Sequence, residues 1–199
     1  MPRVKISGIT NVDDAKWAAI LGVEFVSVSL DEESEKKVSI EMAEEIKSVL
    51  PSYTKMVCEY SKPVDINSKH INKIAPDYIQ FNGNGAAQEE AKRRMKDMTK
   101  PLIIECDQNT DISTYDELDD YIMQVNLYQD YENLDLSQLK EKFNMDKIII
   151  QADWALEEIK KVCQSVHPFA WSVEKIIQRS PRRINYEKMK EYIREISIW

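Results

Sequence analysis

Six carboxylates follow short apolar runs along the chain: Glu59, Glu105, Asp107, Asp130, Asp153 and Glu174. If those runs are parallel strands, the carboxylates gather at one end of the fold. A mouth of that charge attracts amines or divalent cations and repels phosphate esters. The plainer alternative is that they are solvated loop residues. Other chemistry-bearing groups are sparse. His70 and His167 are the only histidines, which leaves a His-based metal site short of ligands. Cys58, Cys106 and Cys163 are far apart with no CxxC pair, and they suit the reduced thiols of a cytoplasmic protein better than disulfides or zinc. No cofactor and no resident metal are expected. The four glycines are Gly8, Gly22, Gly83 and Gly85, so none follows residue 85.

Strand ends must be positioned by strands. Buried parallel strands are expected at Val4–Ile6, Phe25–Ser29, Lys55–Glu59, Tyr78–Phe81, Leu102–Glu105, Val125–Tyr128, Lys147–Gln151 and Phe169–Val173. Helical periodicity fills the gaps: Ala15 to Leu21, a helix capped by Ser39 and stopped by Pro51, Ile66 to Ile74, Glu89 to Met98, Tyr115 to Ile122, Leu136 to Phe143, Leu156 to Val166 and Asn185 to Ile198. Eight strand–helix units at about 25-residue spacing predict an α/β fold, a (β/α)8 TIM barrel forming one compact domain over residues 1–199. A doubly wound open sheet is the alternative.

A net charge of -8 argues against nucleic acid as a partner. No apolar run approaches the roughly 20 residues of a membrane span, and MPRVKISGIT does not read as a signal peptide. Arg179, Arg182 and Arg183 form a short basic cluster that reads as a solvated loop. Trp154 and Trp171 are expected to cap the barrel entrance and Trp199 to pack the last helix down. The alternative is a partner surface, for a second copy or another protein.

Lys5-Ile6-Ser7-Gly8-Ile9-Thr10, followed by Asn11-Val12-Asp13-Asp14-Ala15, resembles the opening KICGIT and N-x-x-D-A of the phosphoribosylanthranilate isomerase family. Glu33 to Ser39 resembles the K-S-x-R-x-V-S loop, Ile79 to Gly83 the V-Q-L-H-G strand end, and Val166 to Ala170 the R-P-x-A stretch before the last strand. The resemblance implies a barrel, a small-molecule ligand at its C-terminal face, and an Amadori rearrangement in tryptophan biosynthesis.

That reaction needs a base, an acid and a hold on an anionic substrate. The family's cysteine base has Ser7 as its counterpart here, and serine ionises far too weakly without an adjacent base. The family's aspartate acid after strand 6 has Asp130 as its nearest counterpart, one residue out of register. Lys36 stands for the arginine that engages the anthranilate carboxylate, which loses the bidentate fork. Asn82 replaces a histidine. Where glycine loops after strands 7 and 8 would cradle phosphate, the chain has Asp153 and Glu174, with Lys175 able to offset one of them.

The expectation is a family relative with weak or no isomerase activity, acting as a binding or interaction protein. Two other functions remain open: a working isomerase with substituted groups, and an enzyme or binder for a cationic ligand or divalent metal at the acidic mouth.

Overall fold

Short β-branched runs that alternate with amphipathic segments can satisfy both only by pairing strand to strand and roofing the sheet with helices. The structure, a computed structural model, describes residues 3–62, 65–82, 100–111, 115, 121–128, 131–180 and 182–198. Eight parallel strands follow in chain order: β1 (Arg3–Ile6), β2 (Phe25–Ser29), β3 (Lys55–Tyr60), β4 (Tyr78–Asn82), β5 (Leu102–Asp107), β6 (Tyr121–Asn126), β7 (Ile148–Gln151) and β8 (Ala170–Val173). Each pairs with the next, and β8 pairs back to β1 with Lys5 opposite Ser172, so the sheet is a closed barrel and not an open one.

The described helices are α1 (Val12–Ile20), α2 (Ile40–Val49), α3 (Ser68–Ile74), α4 (Leu136–Lys142), α5 (Leu156–Val166) and α6 (Tyr186–Ile196). Their starts are written in the sequence. Asn11, Ser39 and Asn185 accept from the backbone N–H groups of Asp14, Met42 and Lys188 at 2.9, 3.1 and 3.2 Å. Gly22, at φ +82°, takes the left-handed turn that ends α1. Among the described residues no helix is long and apolar enough to cross a membrane.

Strand alternation sorts the side chains into two environments. One face of the sheet, with Ile6, Val26, Val28, Met56, Phe81, Ile104 and Ile150, packs against helix residues such as Ala18, Ile46, Ile159 and Ile193. Phe25, Val57, Ile103, Ile149 and Ala170 form a separate apolar floor inside the barrel. Above that floor the inward positions are polar, and this layer holds the candidate site.

Three expectations need correction. The sixth strand is Tyr121–Asn126 rather than Val125–Tyr128, which also converts Tyr121 and Ile122 from helix to strand. Its inward residues include the polar Gln124 and Asn126, so a search for continuous apolarity started it too late. Trp171 does not cap the entrance: it is fully buried on the helix-facing side of β8, and Trp154 packs against it with ring centroids 6.1 Å apart. The basic cluster is a hairpin, β9 (Gln178–Ser180) with β10 (Arg183–Ile184). Asp130, Trp199, the helix expected over Glu89–Met98 and most of the one expected over Tyr115–Ile122 lie outside the described residues.

Candidate functional site

β1 presents Lys5 and Ser7 to the barrel interior. Lys5 is fully buried, and its Nζ has four oxygens within hydrogen-bond reach: Ser7 Oγ and Glu59 Oε1 at 2.9 Å, Gln80 Oε1 and Gln124 Oε1 at 2.8 Å. An ammonium has three protons to give, so this cation is saturated by β1, β3, β4 and β6 together. Two relays run upward from it. Gln80 donates to Glu105 Oε2 at 2.9 Å, and Asn126 donates to Glu105 Oε1 at 2.6 Å. Gln124 donates to Gln151 Oε1 at 3.0 Å, and Gln151 to Glu174 Oε2 at 3.4 Å.

The two interior carboxylates experience opposite fields. Burial works to raise Glu59, but the Lys5 ammonium, the Ser27 hydroxyl and Lys36 together outweigh it and hold the carboxyl below the usual glutamate range. Burial also raises Glu105, and the nearby Glu59 charge raises it further, against smaller opposing effects from Gln80, Lys5 and Asn126. Glu59 therefore carries the negative charge more readily than its neighbour across the bore.

Ser7 is buried, with Lys5 Nζ on one side and Ser172 Oγ at 3.0 Å on the other. Ser172 gives its own proton to Gln151 Oε1 at 2.9 Å, so Ser7 donates to Ser172. Neither partner of Ser7, a hydroxyl and a saturated ammonium, is a base that could take its proton.

Over the network lies a cavity of about 190 Å³ lined by Gly8, Lys36, Glu59, Glu105 and Glu174 among others. Lys36 Nζ is ion-paired with Glu174 Oε1, bridging the β2–α2 connection to the end of β8. Gly8, at φ +74°, lies directly beneath: a Cβ there would come within 2.7 Å of Lys36 Cδ and 3.4 Å of Glu174 Oε1.

The remaining strand-end carboxylates disperse. Asp107 accepts from the Asn109 N–H at 2.7 Å and from the Thr110 hydroxyl at 3.2 Å, which makes it a turn residue. Asp153 is partly exposed with Lys175 at 3.9 Å, so Lys175 offsets Asp153 while Lys36 offsets Glu174. Asn82 ends β4 opposite Glu105 in the register. The N-terminus of α5, after β7, is already occupied: Glu158 Oε2 accepts from the Ala155 N–H at 2.8 Å. Among the described residues no three His, Cys, Asp or Glu side chains come together to hold a metal.

Sequence reasoning missed Lys5, Gln80, Gln124, Gln151 and Ser172. The signal that could have found them is a polar residue at every second position of strands otherwise read as uniformly apolar.

The chain is 23% identical to the N-(5'-phosphoribosyl)anthranilate isomerase of Geobacter metallireducens (strain ATCC 53774 / DSM 7210 / GS-15) over 206 residues, covering 98% of each. It is 26% identical to that of Sulfurihydrogenibium sp. (strain YO3AOP1) over 202 residues, covering 96% of each. Over its whole length the chain is thus similar to phosphoribosylanthranilate isomerases, at low identity. The solved isomerase of Thermotoga maritima superposes with a TM-score of 0.82 at 20% identity over the whole of both chains. TrpF from Jonesia denitrificans does so with 0.83 at 9% identity, covering 99% of this chain and 97% of that one. No family model matches the chain. Lys36 and Glu174 fall on opposite sides of one entrance.

Proposed function

We propose that this chain keeps the barrel of the phosphoribosylanthranilate isomerases without their reaction and acts through its C-terminal face as a cytoplasmic binding protein. The Lys36–Glu174 ion pair carries this reading. Family resemblance puts Lys36 where the substrate carboxylate is engaged and the end of strand 8 where phosphate is cradled. Here those two positions neutralise each other across the mouth. One similar solved isomerase is in complex with reduced 1-(O-carboxyphenylamino)-1-deoxyribulose 5-phosphate. An anion of that kind would have to displace Glu174 from Lys36 and then lie against the Glu174 and Glu59 carboxylates, a repulsion strengthened by the low dielectric of the bore.

Proton transfer fares no better. Ser7 has no base beside it, and the inward residue at the end of β6 is Asn126, which cannot act as an acid. Asp31, Glu59, Glu105 and Glu174 around the cavity outnumber Lys36 and the Lys5 buried below it, which favours an organic ammonium ligand over a phosphate ester.

The decisive experiment is an isomerase assay on the purified chain, run beside complementation of a tryptophan auxotroph that lacks its own isomerase. No turnover and no growth are expected. Growth that depends on Ser7 or Asp130 overturns the reading. A calorimetric titration with spermidine then addresses the ligand class, and the absence of heat removes the ammonium assignment.

A further inference from the structure

The connection from β8 to α6 is a built structure rather than a plain loop. After the turn Lys175–Ile177 come the antiparallel strands β9 and β10. Three anchors fix this hairpin. Thr10 Oγ1 donates to the Arg182 carbonyl at 3.1 Å, and Arg182 Nη1 donates to the carbonyls of Glu35 and Lys37 at 2.9 and 3.2 Å. The Asn185 N–H donates to the Ile177 carbonyl at 2.8 Å. The ribbon is thereby tied to the connections that follow β1 and β2. Between it and the first turns of α1 and α6 runs a groove of about 810 Å³.

Three of the seven arginines of an otherwise acidic chain line that groove: Arg179, Arg182 and Arg183. Arg182 spends part of its guanidinium on the two carbonyls. Arg179 and Arg183 are exposed and have no ion-pair partner among the described residues. Three carboxylates line the groove as well, and their state decides its sign. Asp14 is buried with both oxygens used, by Asn11 Nδ2 and by the Tyr186 hydroxyl, each at 2.8 Å. Asp13 and Glu187 belong to the first turns of α1 and α6, where the positive end of the helix dipole offsets an acidic side chain. The acids are thus compensated from their own side, whereas the two guanidinium forks remain free.

We propose that this groove binds a small soluble molecule through an oxyanion, a phosphate monoester or a carboxylate, gripped by Arg179 and Arg183. A planar fork with parallel N–H donors suits either group, and the groove has the volume of a ligand pocket. It shares no lining residue with the cavity around Lys36 and Glu174, so its fate is independent of whether the barrel is an isomerase.

Calorimetry with inorganic phosphate, ribose 5-phosphate and succinate tests the site. One saturable site is expected, weakened by about tenfold or more in Arg179→Ala/Arg183→Ala, since each free fork contributes charge-assisted hydrogen bonds. Lys175→Ala, which removes an exposed cation outside the groove, should leave the affinity unchanged. The tighter of the phosphate and succinate arms identifies the oxyanion. If the double alanine variant is poorly folded by circular dichroism, Arg179→Lys/Arg183→Lys keeps the charge and loses the forks, and it should also bind more weakly. No saturable heat with any probe, or equal affinity in wild type and both double variants, overturns the proposal.

Discussion

Lys5 sits in the bore with no route to water and is tolerated there only because carboxylate and amide oxygens from three other strands meet it. Lys5→Met would leave the partly buried Glu59 without its cation, and the loss should sit near the low end of the about 3–5 kcal/mol that breaking a buried pair from one side costs. Urea denaturation should show a loss of that order, and adding Glu59→Gln should recover part of it. A Lys5→Met protein as stable as wild type would remove the network from the account. Glu59 and Glu105 predict opposite dependences on pH. Glu59 is held below 4.5, so its contribution is present above that value and is lost as the pH falls through the folded one. Glu105 is raised above 4.5, so its contribution is present below that value and is lost as the pH rises through the folded one. Glu105→Gln is therefore expected to gain on wild type as the pH rises above 4.5, and Glu59→Gln to gain only as it falls below 4.5. Denaturation midpoints followed against pH would show it, and curves parallel to wild type would refute it.

At the scale of elements, the start of α2 is the most legible feature. Ser39 before an apolar-periodic stretch announced α2, and it accepts the Met42 N–H as a cap must. Ser39→Ala should lower stability by about 1 kcal/mol in thermal or chemical denaturation, with α2 otherwise intact by circular dichroism. β2 was equally readable, because Phe25, Val26 and Val28 mark a strand buried on both faces. β6 was misplaced because Gln124 and Asn126 are satisfied inside the barrel by partners that local sequence does not reveal. The hairpin was missed for a related reason: arginines flanking Pro181 read as a solvated loop, and only tertiary contacts from Thr10, Glu35 and Lys37 make them a ribbon. In the site, Lys36 and Glu174 could each be singled out, but their pairing spans 138 residues and exists only once β8 closes on β1.

The molecule as a whole keeps its reactive sulfur out of reach. Cys58, Cys106 and Cys163 are free and buried, and burial pushes each thiol up to about 12. The native protein should resist iodoacetamide at pH 8 and take up three labels after denaturation, as counted by mass spectrometry. Rapid labelling of the native state would mean that the wall between strands and helices opens readily. Lys5 also bears on how such a closed wall is assembled. Its acceptors lie up to 119 residues further along the chain. On a polypeptide leaving the ribosome, Lys5 emerges before Glu59 and Gln80, the acceptors on β3 and β4 that complete its three protons together with Ser7. Burying β1 therefore has to wait for β3 and β4, and the amide of Gln124 reaches the same ammonium only with β6.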